Sequence, residues 1–144
     1  MAVTAALALG TLASAAPASA ALTLETRLTG AAEVPGPGDP DGTGAARVRI
    51  NVRTQRVCYG ISVRNITLPA VGAHIHRGGV DVAGPVKVTL DNPTRVASTG
   101  IGLSFGCERA SKNLLRRIRS NPDRFYVNVH TTDYPDGAVR GQLG

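Results

Sequence analysis

From Leu22 onward the chain alternates between apolar and polar residues. Leu22, Leu24 and Leu28 fall on one side of an extended segment and Thr23, Glu25 and Arg27 on the other, the period-two pattern of a strand with one buried face. Residues 33–42, dense in Pro, Gly and Asp, read as a loop. Alternation resumes at Arg47–Arg53, with Val48, Ile50 and Val52 inward, and a short Thr54-Gln55 link leads into Val57, Tyr59, Ile61 and Val63. The next strand runs from Val71 to His76, placing Val71, Ala73 and Ile75 inward and Gly72, His74 and His76 outward. Val86, Val88 and Leu90 form the inner side of another, ended by Asp91-Asn92-Pro93, and Ile101, Leu103 and Phe105 that of one more. Ser111–Ser120 breaks the rhythm. Leu114, Leu115 and Ile118 recur at helical spacing, with Ser111 as N-cap and Pro122 beyond the end. Phe125, Val127 and Val129 then face inward, with Tyr126, Asn128 and His130 outward. After the turn signal Tyr134-Pro135-Asp136-Gly137, Val139–Leu143 closes the chain with Arg140 and Gln142 outward.

About eight short strands and one helix near 111–120 predict an all-β fold, an antiparallel sandwich or barrel in a single domain over 21–144. Residues 1–20 do not share the rhythm. They are Ala-rich, carry no charge and end Ala18-Ser19-Ala20, the small-x-small pattern that a signal peptidase accepts. The basic n-region is missing, since the first cation is Arg27, so the leader reads as truncated. The stretch is too weakly apolar for a transmembrane span. The expectation is a secreted or extracytoplasmic protein of the cell envelope.

Composition changes the picture at two points. The net charge is +6, and segment 108–124 supplies +4 of it through Arg109, Lys112, Arg116, Arg117, Arg119 and Arg124 against Glu108 and Asp123. Such a patch can meet polyanions, envelope polymers or anionic lipid headgroups, or simply be a solvated helix face. A nucleic-acid partner is not expected, because no aromatic residues interleave with the cations to stack bases. The cysteines are Cys58 and Cys107. An even count in an exported chain suggests a disulfide, closing a loop of about 50 residues with an entropic contribution of up to roughly 4 kcal/mol. Parity puts Cys58 outward, so its partner is expected on a covering segment, Cys107 lying just ahead of the helix. Free thiols and metal ligands are the rival readings.

Three segments carry a family resemblance. They are Leu28-Thr29-Gly30-Ala31-Ala32-Glu33-Val34-Pro35, then Ala73-His74-Ile75-His76-Arg77-Gly78 with Gly84-Pro85-Val86, then Tyr126-Val127-Asn128-Val129-His130-Thr131-Thr132 with Pro135-x-Gly137-x-x-Arg140-Gly141-Gln142-Leu143. In this order they resemble the chordin-type (CHRD) domain, which implies an immunoglobulin-like β-barrel and no agreed activity for microbial members. Gly72-Ala73-His74-Ile75-His76 is also similar to the histidine strand of copper–zinc superoxide dismutases, a Greek-key barrel. That likeness implies copper ligands at His74, His76 and His130 and an anion-guiding role for Arg140. Departures are plain: the bridging histidine has no counterpart, and three histidines cannot also build the zinc cluster. Superoxide dismutase activity is therefore not expected.

The residues themselves allow two readings of the histidines. Imidazoles at i and i+2 on a strand point the same way about 7 Å apart, and a third from a neighbouring strand would complete a site suited to zinc or copper, with Asp133 or Asp136 as an added carboxylate. Alternatively, the three form a structural hydrogen-bond cluster needing no cofactor. Ser62, Ser98 and Ser104 stand in no nucleophile motif, and the carboxylates show no acid–base pattern. The expectation is a binding or structural module rather than an enzyme, a monomer whose partner is a protein or an envelope polymer. A copper- or zinc-binding protein is the alternative.

Overall fold

The computed structural model describes residues 21–144. The leader expected over residues 1–20 lies outside the described residues. The elements are β1 (Leu22–Thr29), β2 (Thr43–Asn51), β3 (Arg56–Arg64), β4 (Gly72–Arg77), β5 (Val86–Thr89), β6 (Thr94–Arg95), β7 (Ile101–Arg109), α1 (Lys112–Ser120), β8 (Phe125–His130) and β9 (Val139–Gln142). Ser111 caps α1 by accepting the Leu114 N–H at 3.2 Å, as its place ahead of the helical repeat predicts.

All strand pairs are antiparallel, in one sheet ordered β5-β4-β8-β9-β1-β2-β3-β7-β6. The sheet curls into a half-barrel, because its two edge strands are joined directly by residues 90–93. Five residue steps from Thr89 to Thr94 reach at most ~18 Å. This bridge is tied to both sides: the Leu90 N–H donates to Ala73 O at 2.9 Å, and the Asp91 N–H donates to Tyr59 Oη at 2.8 Å. Ser104 Oγ donates to Asp91 O. Residues 110–124 then carry the chain from β7 back to β8, beside β4, which is Greek-key connectivity. The antiparallel barrel expected from the alternation is thus what the chain forms.

The inward positions meet in one core. Leu28, Val48, Ile50, Val57, Tyr59, Ile61, Val63, Ala73, Ile75, Phe125, Val127 and Val129 are buried together, and Leu115 and Ile118 of α1 join them. Parity fails on β7. Phe105 is 79% exposed and Leu103 39%, so these apolar residues face solvent while Gly102, Ser104 and Gly106 face inward. The physical reason is space. A Cβ on Gly106 would lie 2.6 Å from Tyr59 Oη, and one on Gly102 2.6 Å from Leu68 Cδ2. Large side chains from elsewhere already occupy the interior beneath β7. Val71 and Val86 also lie outside the core, the first ahead of β4 and the second past a register shift between Ile75 and His76.

Cys58 and Cys107 form a disulfide. The bridge does not tie down a covering segment, as parity suggested. Cys107 belongs to β7 and stands directly opposite Cys58 on β3, so the link joins adjacent strands.

A second departure matters more for function. On β8 and β9 the outward face is covered as well: Tyr126, Asn128 and Arg140 are all buried. The loop after β1 folds over this face, with the Asp39 N–H donating to Ala138 O at 2.8 Å. The loop 78–84 covers the neighbouring part, with the Gly78 N–H donating to Arg124 O at 2.8 Å.

Candidate metal centre

β4 and β8 pair so that Gly72 faces His130, His74 faces Asn128, and His76 faces Tyr126. His74, His76 and His130 therefore share the covered side of two adjacent strands. Gly72 makes room for them. A Cβ there would lie 3.1 Å from His74 Cε1 and 3.2 Å from His130 Cδ2. The ring centroids stand 5.0 Å apart for His74 and His130, 5.4 Å for His74 and His76, and 6.3 Å for His76 and His130.

One nitrogen of each ring lies within 4.8 Å of the others. The backbone determines which nitrogens are available. His76 Nδ1 lies 2.8 Å from Gly84 O, and His130 Nδ1 lies 2.9 Å from Pro135 O. A carbonyl accepts only, so each Nδ1 carries the proton and each Nε2 presents a lone pair. His76 Nε2, His130 Nε2 and His74 Nδ1 are buried without a hydrogen-bond partner. Burial, followed by the neighbouring His130 and His76, pushes His74 down to about 4. Burial also lowers His76, against the opposing pull of the Gly84 carbonyl. At neutral pH these two rings are neutral, the form that binds a metal.

Behind the histidines lies a supporting layer. The Tyr126 ring stacks on His76 with centroids 4.8 Å apart, and the Arg140 guanidinium lies 3.5 Å from the centroid of the Tyr126 ring. Tyr126 Oη accepts the Gly84 N–H at 3.1 Å. Arg140 donates to Gly79 O at 2.6 Å and Val82 O at 3.2 Å. Gln142 Nε2 donates to Gly78 O at 2.7 Å. Together these groups strap the 78–84 loop, and hence the Gly84 carbonyl, into place. Arg140 is 1% exposed. The superoxide dismutase likeness implied a role in guiding an incoming anion; in this fold Arg140 is buried, and its Nη1 and Nη2 donate to the carbonyls of the 78–84 loop.

Glu33 also reaches this layer and is 4% exposed. Burial pushes its carboxyl up to about 7, while Arg140, the Val34 N–H and Asn128 pull the other way. Gly137 is required beside it. Its φ is +143°, and a Cβ there would sit 2.3 Å from Glu33 Cδ. Asp133 and Asp136 are exposed and do not join the histidine cluster. Asp133 instead accepts from the Thr67 hydroxyl.

Residue by residue, the histidines expected to converge do so, whereas Glu33, Tyr126, Asn128 and the two carbonyls do not stand out from the sequence as site groups. The sole signal for them was membership of the family-like segments, since strand parity alone reads Tyr126 and Asn128 as solvent-facing. The set offers three imidazole nitrogens, with the His76 and His130 rings held from behind by backbone carbonyls, a donor set that suits zinc or copper.

No curated protein and no solved structure matches the chain. The family model described as CHRD domain matches residues 24–143, from within β1 to just beyond β9. With nearly every described residue matched, the chain belongs to the CHRD domain family.

Proposed function

We propose that this CHRD domain is an extracytoplasmic binding module that carries one copper or zinc ion on His74 Nδ1, His76 Nε2 and His130 Nε2. The observation that supports the reading is the convergence of three buried imidazole nitrogens that have no hydrogen-bond partner. Leaving buried polar atoms unpaired costs roughly 1–3 kcal/mol each, and a shared ion would satisfy all three at once. Tetrahedral zinc with ligands at ~2.0–2.1 Å needs its nitrogens ~3.3 Å apart, so the rings, whose nitrogens lie within 4.8 Å of one another, would have to draw together on binding. The Gly84 and Pro135 carbonyls play the part of the outer partners that orient metal-binding histidines. Support for the location comes from the disulfide and from the leader-like residues 1–20. The reading assigns no catalytic step to the chain.

Native mass spectrometry and calorimetric titration of the purified protein with zinc or copper test it. The expected result is one equivalent bound by the wild type and none at this site in a His74→Ala/His76→Ala variant shown by circular dichroism to be folded. A wild type that stays metal-free at micromolar zinc and copper would overturn it. So would a double variant that binds as tightly as the wild type.

A further inference from the structure

Away from the histidines, the chain gathers positive charge in a groove that no single segment of the sequence reveals. Arg77 comes from the end of β4, Lys87 from β5, Arg117 from α1 and Arg124 from the segment before β8. All four are exposed and line one recess of about 680 Å³. A second recess of about 300 Å³ shares Arg77, Lys87 and Arg117 and continues to Ser111 and Asn113. The two make one open groove running between α1 and the β4–β5 edge.

Its charges are almost uncompensated. Ion pairs among the described residues include Arg47–Glu25, on another part of the sheet, and Arg124–Asp123 at 3.9 Å. Among the described residues, Arg77, Lys87 and Arg117 pair with no carboxylate. Like charges brought together by folding repel one another, so the arrangement lacks a stabilising role of its own. Guanidinium groups present planar, paired donors that match carboxylate, sulfate or phosphate oxygens.

We propose that this groove binds a linear anionic polysaccharide, with Arg77, Lys87, Arg117 and Arg124 engaging successive acidic groups. The groove is open and elongated, which suits a chain more than a single enclosed anion. It is concave, so the headgroups of a flat bilayer would meet its rim rather than its floor. Phe125, the one aromatic residue lining it, is 1% exposed and cannot stack a base, which sets nucleic acid aside. This inference is independent of the metal reading, because none of the four cations is a proposed ligand.

The test is equilibrium binding of the wild-type chain to dextran sulfate and polygalacturonate at low and moderate salt, with neutral dextran as blank and phosphatidylglycerol vesicles as a separate arm. A Lys87→Glu/Arg117→Glu variant changes the local charge by −4. An Arg49→Glu/Arg53→Glu variant makes the same change elsewhere on the surface. The expected result is polymer binding that weakens with salt, falls at least tenfold in the groove variant and changes less than threefold in the control. Equal loss in both variants would reduce the effect to net charge and overturn the proposal. Absence of polymer binding, or vesicle binding tighter than polymer binding and lost in the groove variant, would overturn it too. Should the reversed variant not fold, Lys87→Gln and Arg117→Gln replace it, and an unchanged affinity in both would count against the groove.

Discussion

Replacing Glu33 by Gln isolates the cost of a buried carboxylate in the layer behind the histidines. Glu33 is 4% exposed, and Oε1 has no hydrogen-bond partner. Burial raises its pKa from 4.5 to about 7 despite the attraction of Arg140. The folded protein therefore holds the proton more tightly than the unfolded chain does. Stability contributed by this group falls as pH rises from about 4.5 to about 7, and the loss is complete above that. The shift corresponds to at most ~3.4 kcal/mol, most of which develops above pH 5. Gln resembles the protonated acid in shape. At pH 5 the variant should match the wild type within about 1 kcal/mol, and at pH 8.5 it should be more stable by about 2 kcal/mol. Urea unfolding of metal-free protein at the two pH values measures the difference, and the histidines, present in both proteins, cancel. Equal effects at both pH values would refute the reasoning. A variant that grows less stable with rising pH would do so more pointedly, because it would mean that the Arg140 attraction outweighs desolvation.

Other perturbations have equally definite outcomes. Cys58→Ala/Cys107→Ala should lower stability by about 2–4 kcal/mol in chemical unfolding while leaving metal uptake by the folded fraction unchanged, since the bridge lies on β3 and β7 away from the histidines. Gly84→Ala puts a Cβ 1.7 Å from Arg77 O and must displace the loop whose carbonyl orients His76; zinc or copper affinity should fall by roughly 10–100-fold in competition titrations. Phe105→Ser should change stability by no more than about 0.5 kcal/mol, because the ring is 79% exposed. A loss of about 3–5 kcal/mol, the cost of truncating a core aromatic, would restore the inward placement that alternation suggests.

Much of this protein is local and therefore visible in the chain itself. Period-two runs mark the strands, since a residue's side of a pleated strand depends only on its place in the sequence. The break at Ser111–Ser120 marks α1 for the same reason, and the spacing of His74 and His76 already puts both rings on one face. What the tertiary structure decided is what lies against each face. Alternation separates two sides of β8 but is silent on the loops 33–42 and 78–84 that bury Tyr126, Asn128 and Arg140 from outside. It reads Phe105 inward because it cannot register that Tyr59 and Leu68 fill the space beneath Gly106 and Gly102. The pairing of Gly72 with His130 brings the third imidazole to the other two across more than fifty residues of chain, and folding alone brings Arg77 and Lys87 beside Arg117. Strand geometry is a property of neighbours in sequence; both candidate sites depend on contacts between distant segments, which only the curled sheet creates.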